Sequence, residues 1–340
     1  TDYIEEIVKQ VKVLLEKGFA YRISDGIYYE VSKFTEYGKL SGRKELQAND
    51  SISRIDENKE KRGWNDFCLW KISKEGEPFW ETELGKGRPG WHIEDTAITE
   101  TLFGPQYDIH GGAVDLIFPH HEAEISQMEA ASGKSPMVRY WLHTGFLNIN
   151  SEKMSKSKGN FKTIRQALGQ YNFRVLRFLF LSSHYRSTID FTNTILEQSK
   201  NSLQRIQEFV NKIDKNYEDQ DEKKVVEELK IKINNALGDD FDTPTAFAVL
   251  FEFIRSQNTK GVTGKYVYEY FIELNSFLNI LEFKEEEIPQ EIRDLAEKRL
   301  KAKLNKDWGE ADRLREVIKE KGYLVEDTKN DCKIKRIMLS

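Results

Sequence analysis

Two cysteines in 340 residues, Cys68 and Cys332, stand far apart and in no CxxC arrangement. That excludes a disulfide framework and a metal site made of cysteines alone. No apolar run reaches the length of a membrane span, and the opening TDYIEEIVKQVKVLLEKG is charged and amphipathic, unlike a secretory leader. The expectation is a cytosolic, cytoplasmic chain with no membrane partner. A large excess of one charge is also lacking, since 52 Lys and Arg against 57 Asp and Glu leave a net charge of −5. This balance argues against nonspecific coating of nucleic acid, although one local basic face can still bind a folded RNA. What is present is a globular mixture of aromatic, aliphatic and charged residues, long enough for two or three domains with cores of their own.

The chain opens on Thr1 as if in mid-protein. Asp2 and Glu5 in capping positions, with Ile4, Ile7, Val8, Val11, Leu14 and Leu15 at helical spacing, predict a helix that stops at Gly18. AYRI-SDG-IYYEV predicts a hairpin turning at Asp25 and Gly26, and the polar stretch from Lys33 to Arg62 reads as loop and short elements of an inserted domain. Apolar and aromatic residues at helical spacing run from Gln166 to Phe191. From Asn193 to about Glu285 long amphipathic segments predict a helix bundle, in which DDFDTP starts a helix with Pro244 in its first turn. Residues 289 to 321 predict two charged amphipathic helices, and LVED-TKND-CKIKRI a closing hairpin.

All six histidines lie between His92 and His184, and four fall inside GRPGWHIED and YDIHGGAVDLIFPHHEAEI. The first stretch ends a loop and begins a helix. The second reads as a buried strand running into a glycine turn, the junction where parallel sheets place ligands. His120, His121 and Glu124 then open the next helix, where His120 and Glu124, four apart, share a face and can hold one metal ion. Alone, H-x-x-x-E is as well explained by carboxylates countering a helix dipole beside surface histidines.

SEKMSKSKGN, residues 151 to 160, combines three lysines and three serines with Gly159. Such a run is either a solvated loop or a mobile clamp that closes ammonium and hydroxyl groups over phosphate.

The order GWHIE, DIHGG-x-x-D-L-x-F-P-H-H-E-x-E, KMSKSKGN, RFLFLSSHYRSTIDFT, DDFDTPTA and ADRLREVIKEKGYLVED resembles the cysteinyl-tRNA synthetase family of class I aminoacyl-tRNA synthetases, over essentially the whole chain. The resemblance implies an α/β plus all-α protein. Its expected domains are an inserted connective region at 1–88, the second half of a Rossmann-type catalytic domain at 89–165, a junction at 166–192, a helical anticodon-binding bundle at 193–287, and C-terminal helices with a hairpin at 288–340. The implied reaction is ATP-dependent activation of L-cysteine followed by transfer to tRNA(Cys), with Mg2+ accompanying ATP. A monomer is expected.

By that resemblance Lys153 and Lys156 are catalytic, placing positive charge where it develops on departing pyrophosphate, with Lys156 the more direct contact. Gly111, Gly112, Asp115, Met154 and Ser155 join Lys156 in binding ATP, while Trp91 and His110 line the cysteine pocket. Asp95, His120 and Glu124 hold zinc, and Asp327 reads the anticodon. Aspartate stands at Asp95, four residues after the tryptophan of GWHIE, where the family usually has a zinc-binding cysteine. Its harder oxygen predicts a looser hold on the metal.

The family's His-Ile-Gly-His signature and early zinc-binding cysteine do not occur in these residues. The expectation is therefore a C-terminal portion lacking roughly a hundred residues, about half of a doubly wound domain. Two other functions stay open at this point: a noncatalytic tRNA-binding fragment, and a ligase passing cysteine to a small amine, as in the mycothiol pathway.

Overall fold

The computed structural model describes residues 2–45, 58–154, 159–283, 288–327 and 332–336. The chain divides into two compact units, Thr1–Phe146 and Leu147–Ser340.

In the first unit, α1 (Ile4–Glu16) buries Ile7, Val8, Val11 and Leu14 on one face, as their spacing requires. Its N-cap is Tyr3, with no side-chain cap, so the predicted role of Asp2 is not realised. Strands β1 (Ala20–Ile23) and β2 (Gly26–Tyr29) form the hairpin, but Ile23 pairs with Gly26, which leaves Ser24 and Asp25 as the turn. Gly26 serves the next strand instead: a Cβ there would fall 2.4 Å from the Trp70 carbonyl oxygen. With β3 (Phe67–Ile72) and β4 (Gly87–Pro89) these strands make an antiparallel sheet of order β1-β2-β3-β4. Its core joins Ile27, Tyr29, Leu69 and Trp70 to Val11 and Leu14 of α1 and to Ile93 and Ala97 of α2 (Trp91–Phe103).

After α2 come β5 (Tyr107–Ala113), α3 (Glu122–Ser132) and β6 (Val138–Thr144), a βαβ arrangement in which β5 and β6 pair in parallel. Two expectations are corrected here. Gly111 and Gly112 lie inside β5, opposite Leu142 and His143, rather than in a turn, and β5 is not buried, since Ile109 is 60% exposed. The turn comes later, through Val114–Leu116 and Ile117–His121, where the backbone leaves helical geometry at Phe118.

In the second unit, β7 (Leu147–Ile149) is flanked by antiparallel β8 (Glu152–Lys153) and parallel β9 (Ile189–Asp190). Between β8 and β9 lie α4 (Ile164–Leu168), started by a Thr163–Gln166 capping box, and α5 (Phe173–Leu181). Helices α6 (Asn193–Val210), α7 (Gln220–Gly238), α8 (Thr243–Lys260) and α9 (Lys265–Leu278) follow, with Leu203, Ile206, Phe209, Phe253 and Phe271 in their shared core. As expected, DDFDTP starts a helix: the Asp242 carboxylate accepts from the Thr245 N–H, and Pro244 sits in the first turn of α8. Arg177 donates to the Leu278 and Phe277 carbonyls, which α9 leaves open at its C-terminus. The two predicted charged helices are α10 (Gln290–Leu304) and α11 (Trp308–Glu320), and β10 (Tyr323–Asp327) pairs with β11 (Cys332–Arg336) around Ile292, Ala296, Ile318 and Val325. Among the described residues no helix is long and apolar enough to cross a membrane.

Helix α3 is buried on every side, from Glu122 to Ala131. Its first residue, Glu122, is 1% exposed, and its carboxylate accepts the N–H groups of Gly38 at 3.0 Å, Leu40 at 2.7 Å and Ser41 at 2.6 Å. It thereby binds the loop after β2 to the helix that carries the histidine cluster. Replacing Glu122 with alanine strands three buried or half-buried donors. We expect Glu122→Ala to destabilise the first unit by about 3 kcal/mol, read as a lower urea midpoint, with Glu122→Gln losing less.

Candidate functional site

Four elements of the first unit converge on Glu124. The first turn of α2 supplies Trp91, His92 and Asp95. Strand β5 supplies Tyr107 and His110, and the turn into α3 supplies His120, His121 and Glu124 itself. Trp141 and His143 come from β6, two residues apart and so on one face of the strand. Asp95 lies on the helix that GRPGWHIED was expected to begin. His120 precedes α3 rather than opening it, yet it still meets Glu124 four residues on.

The Glu124 side chain has no solvent exposure. His120 Nε2 lies 3.1 Å from its Oε1 and 3.0 Å from Asp95 Oδ2, while His110 Nε2 lies 3.4 Å from its Oε2. Neither Glu124 oxygen makes a well-aligned hydrogen bond. Burial pushes this carboxyl up to about 7, against the pull of His120. For His120 burial acts downward, but the hydrogen bond to Asp95 and the close carboxylates of Asp95 and Glu124 outweigh it and raise the imidazole to about 9.

Behind His120 stands His92, with the two Nδ1 atoms 2.6 Å apart, so that one ring donates and the other accepts. Burial, and then the His120 charge, holds His92 down at about 3. It is thus neutral and can take either role as His120 changes state. On the other side, His110 Nδ1 bonds the Tyr107 hydroxyl at 2.6 Å, and His121 Nδ1 bonds His143 Nε2 at 2.8 Å. The Trp91 ring stacks on His120 with centroids 4.2 Å apart, and Trp141 lies 4.8 Å from His110 and 5.0 Å from His121. Gly112 makes room for the His121 ring, since a Cβ there would fall 2.8 Å from Cε1.

Asp95, His120 and Glu124 place one ligand atom each within 4.8 Å of the others, as do His110, His121 and Glu124. A buried carboxylate without a well-made hydrogen bond, an imidazole backed by a second imidazole, and a half-exposed carboxylate suit a divalent cation. Trp91 and His110 border the same cluster. Asp115 lies in the turn at Val114–Leu116. In the second unit, Lys153 ends β8, the Met154 N–H donates to the Leu147 carbonyl, and Asp327 ends β10 opposite Cys332. Ser155 and Lys156 lie outside the described residues. Sequence reasoning assigned no role to Glu122, His92, His121, Tyr107, Trp141 or His143. The alternation of Trp141 and His143 on one strand was the available signal for that pair.

The parallel βαβ unit, β8 ending at Lys153 and the helices that follow accord with a class I tRNA synthetase, and the family models state the class. Residues 1–201 match the model of the tRNA synthetases class I (C) catalytic domain, and residues 232–282 match the DALR domain. The chain is 43% identical to the cysteine–tRNA ligase of Caldicellulosiruptor saccharolyticus over 353 aligned residues, covering 99% of this chain and 76% of that protein. For the cysteine–tRNA ligase of Carboxydothermus hydrogenoformans the identity is 40%, with 99% and 76% covered. That of Thermoplasma acidophilum gives 42%, with 96% and 73% covered. The chain belongs to the cysteinyl-tRNA synthetase family.

Proposed function

We propose that the protein activates L-cysteine with ATP and transfers it to the 3′ end of tRNA(Cys). The observation that carries this reading is the buried Glu124 joined to Asp95 through His120, a cation-ready cluster bordered by Trp91 and His110. In the first step the cysteine carboxylate attacks the α-phosphorus of ATP and pyrophosphate leaves. In the second a terminal ribose hydroxyl of tRNA attacks the adenylate carbonyl and AMP leaves.

Charge accumulates on the pyrophosphate in the first step, and Lys153 and Lys156 are assigned to stabilise it, with Mg2+ bound to ATP. Gly111 and Gly112 are assigned to let backbone approach the nucleotide, Asp115 to accept from ribose hydroxyls, and Met154 and Ser155 to border it. Asp327 is assigned to the anticodon, where its carboxylate would accept from the Watson–Crick edge of a splayed guanine. The DALR match over 232–282 supports a tRNA acceptor over a small amine.

Asp95, His120 and Glu124 would hold zinc. Bound zinc supplies an affinity for a thiolate that the hydroxyl of serine lacks. His120 must then present an unprotonated Nε2, which His92 permits by accepting the proton of His120 at Nδ1.

The reading is tested by cysteine-dependent ATP–pyrophosphate exchange and by charging of tRNA(Cys) with the full-length protein. Absence of both would remove it. Lys156→Ala should slow exchange about 10²- to 10³-fold with little change in the KM for cysteine, because the ammonium acts on charge present mainly in the transition state. Asp327→Ala should weaken tRNA charging and leave exchange intact; equal loss of both would make Asp327 structural. Zinc should be lost on dialysis against a mild chelator, and Asp95→Cys should hold it roughly tenfold more tightly or better, since thiolate is the softer ligand. Tight stoichiometric zinc in the unsubstituted protein, by metal analysis, would refute the softness argument.

A further inference from the structure

Strand β8 is two residues long and, among the described residues, pairs only with β7, yet it delivers Lys153, the first lysine of KMSKS. The turn that joins them consists of Asn150 and Ser151, because Ile149 pairs with Glu152. Both turn residues have positive φ, 52° and 65°. This is the conformation that lets a two-residue turn match the twist of its strands, and it ordinarily favours glycine. Asparagine tolerates it through its short polar side chain. Serine gains less from that source, so Ser151 is the strained member.

What holds the turn comes from the opposite side of β7. Asp190 ends β9, which runs parallel to β7 with Asn148 opposite Asp190, and the Phe191 N–H donates to the Asn148 carbonyl at 2.7 Å. From there Asp190 Oδ2 accepts the Ser151 N–H at 3.0 Å and the Ser151 hydroxyl at 3.3 Å. The other oxygen, Oδ1, is buried without a hydrogen bond. Desolvating half of a carboxylate in this way is unfavourable for stability. Its counterpart is a fixed turn two residues before Lys153, whose own carbonyl accepts from Asn160 Nδ2 at 3.3 Å.

We propose that Asp190 is a positioning residue for the phosphate-binding loop: by pinning Ser151 in its left-handed conformation it fixes where β8 ends and from where the lysines of KMSKS depart. Asp190 acts through Ser151 in this reading. The inference rests on the activation reaction proposed above, in which those lysines meet the pyrophosphate.

The test uses full-length protein and measures cysteine-dependent ATP–pyrophosphate exchange, the KM for cysteine, and the melting temperature. Asp190→Ala should lower kcat about tenfold, the scale expected when a catalytic group is misplaced by a fraction of an ångström, with the KM for cysteine unchanged within about twofold. Asp190→Asn should recover most of the rate, because its amide oxygen still accepts from Ser151. In a Ser151→Gly background, where the turn adopts positive φ unaided, Asp190→Ala should cost less than about threefold. This double variant also supplies a folded protein should Asp190→Ala alone fold poorly. An exchange rate for Asp190→Ala equal to the unsubstituted protein overturns the proposal. So does a loss that neither Asp190→Asn nor Ser151→Gly relieves, since that pattern marks a purely structural carboxylate. If the unsubstituted protein itself shows no cysteine-dependent exchange, the activation reading falls and this inference with it.

Discussion

A carboxylate taken wholly out of water must find positive charge, a proton or a metal ion, and Glu124 is in that position. Every element around it is arranged to answer the demand. The turn at Ile117–His121 brings His120 to one oxygen, β5 brings His110 to the other, and α2 adds Asp95, which makes the carboxylate excess that a single imidazolium cannot balance alone. A divalent cation resolves the excess directly. Without one, the two carboxyls share the charge of His120, which drives the imidazole up, while burial raises the Glu124 carboxyl against the pull of His120.

Helix α3 shows what this demand requires of the sequence. It is buried all round, yet it is not an apolar helix, since EAEISQMEAAS contains three glutamates, a glutamine and two serines. Burying a polar helix costs less the more of its polar groups find partners, and here most do, although both polar atoms of the Gln127 side chain and both Glu124 oxygens are buried without a well-made hydrogen bond. Glu122 takes three backbone N–H groups of the loop at Gly38–Ser41, and Glu129 takes Lys39 at 2.5 Å and the Met137 N–H at 3.0 Å. Ser126 donates to the Ala123 carbonyl, and its own carbonyl accepts from the Tyr29 hydroxyl. The neighbours of α3 are thus fixed by hydrogen bonds, which are directional, and this directionality positions Glu124 against two histidine rings.

These features divide by how far their causes lie apart in the chain. Helices α6 to α11 were legible because amphipathic spacing and caps are local, as with Asp242 and Pro244 at the start of α8. His120 and Glu124 were legible as a pair for the same reason. That GRPGWHIED begins a helix was legible too, but the partnership of His92 with His120 required knowing that α2 packs beside α3, 28 residues away in sequence for the two histidines. Glu122 was invisible as an anchor because its partners are backbone groups some 80 residues earlier, which carry no residue signature. The hairpin turn shifted by one residue because Gly26 answers to the close approach of Trp70 rather than to the turn. The glycines of β5 were misread in the same way: Gly112 is small for the sake of the His121 ring, a contact across the fold, not for a turn in its own segment.

The cluster also has a direction. His92, His120, His121 and Glu124 are all buried, whereas Trp91 is 49% exposed and the Asp95 side chain 45%. Trp91 and Asp95 thus form the more exposed flank of the cluster. On the proposed reading, that flank includes Asp95, the position at which the resemblance expects a cysteine. A hard oxygen there leaves a bound metal with more of its affinity for soft donors unmet than a second thiolate would. Among the described residues, Asp95, His120 and Glu124 offer that ion oxygen and nitrogen but no sulfur. The same substitution that loosens the protein's hold on the ion thus increases how much of the ion's preference for sulfur is left for the substrate, which ties selectivity against serine to the weakness of the site rather than to its strength.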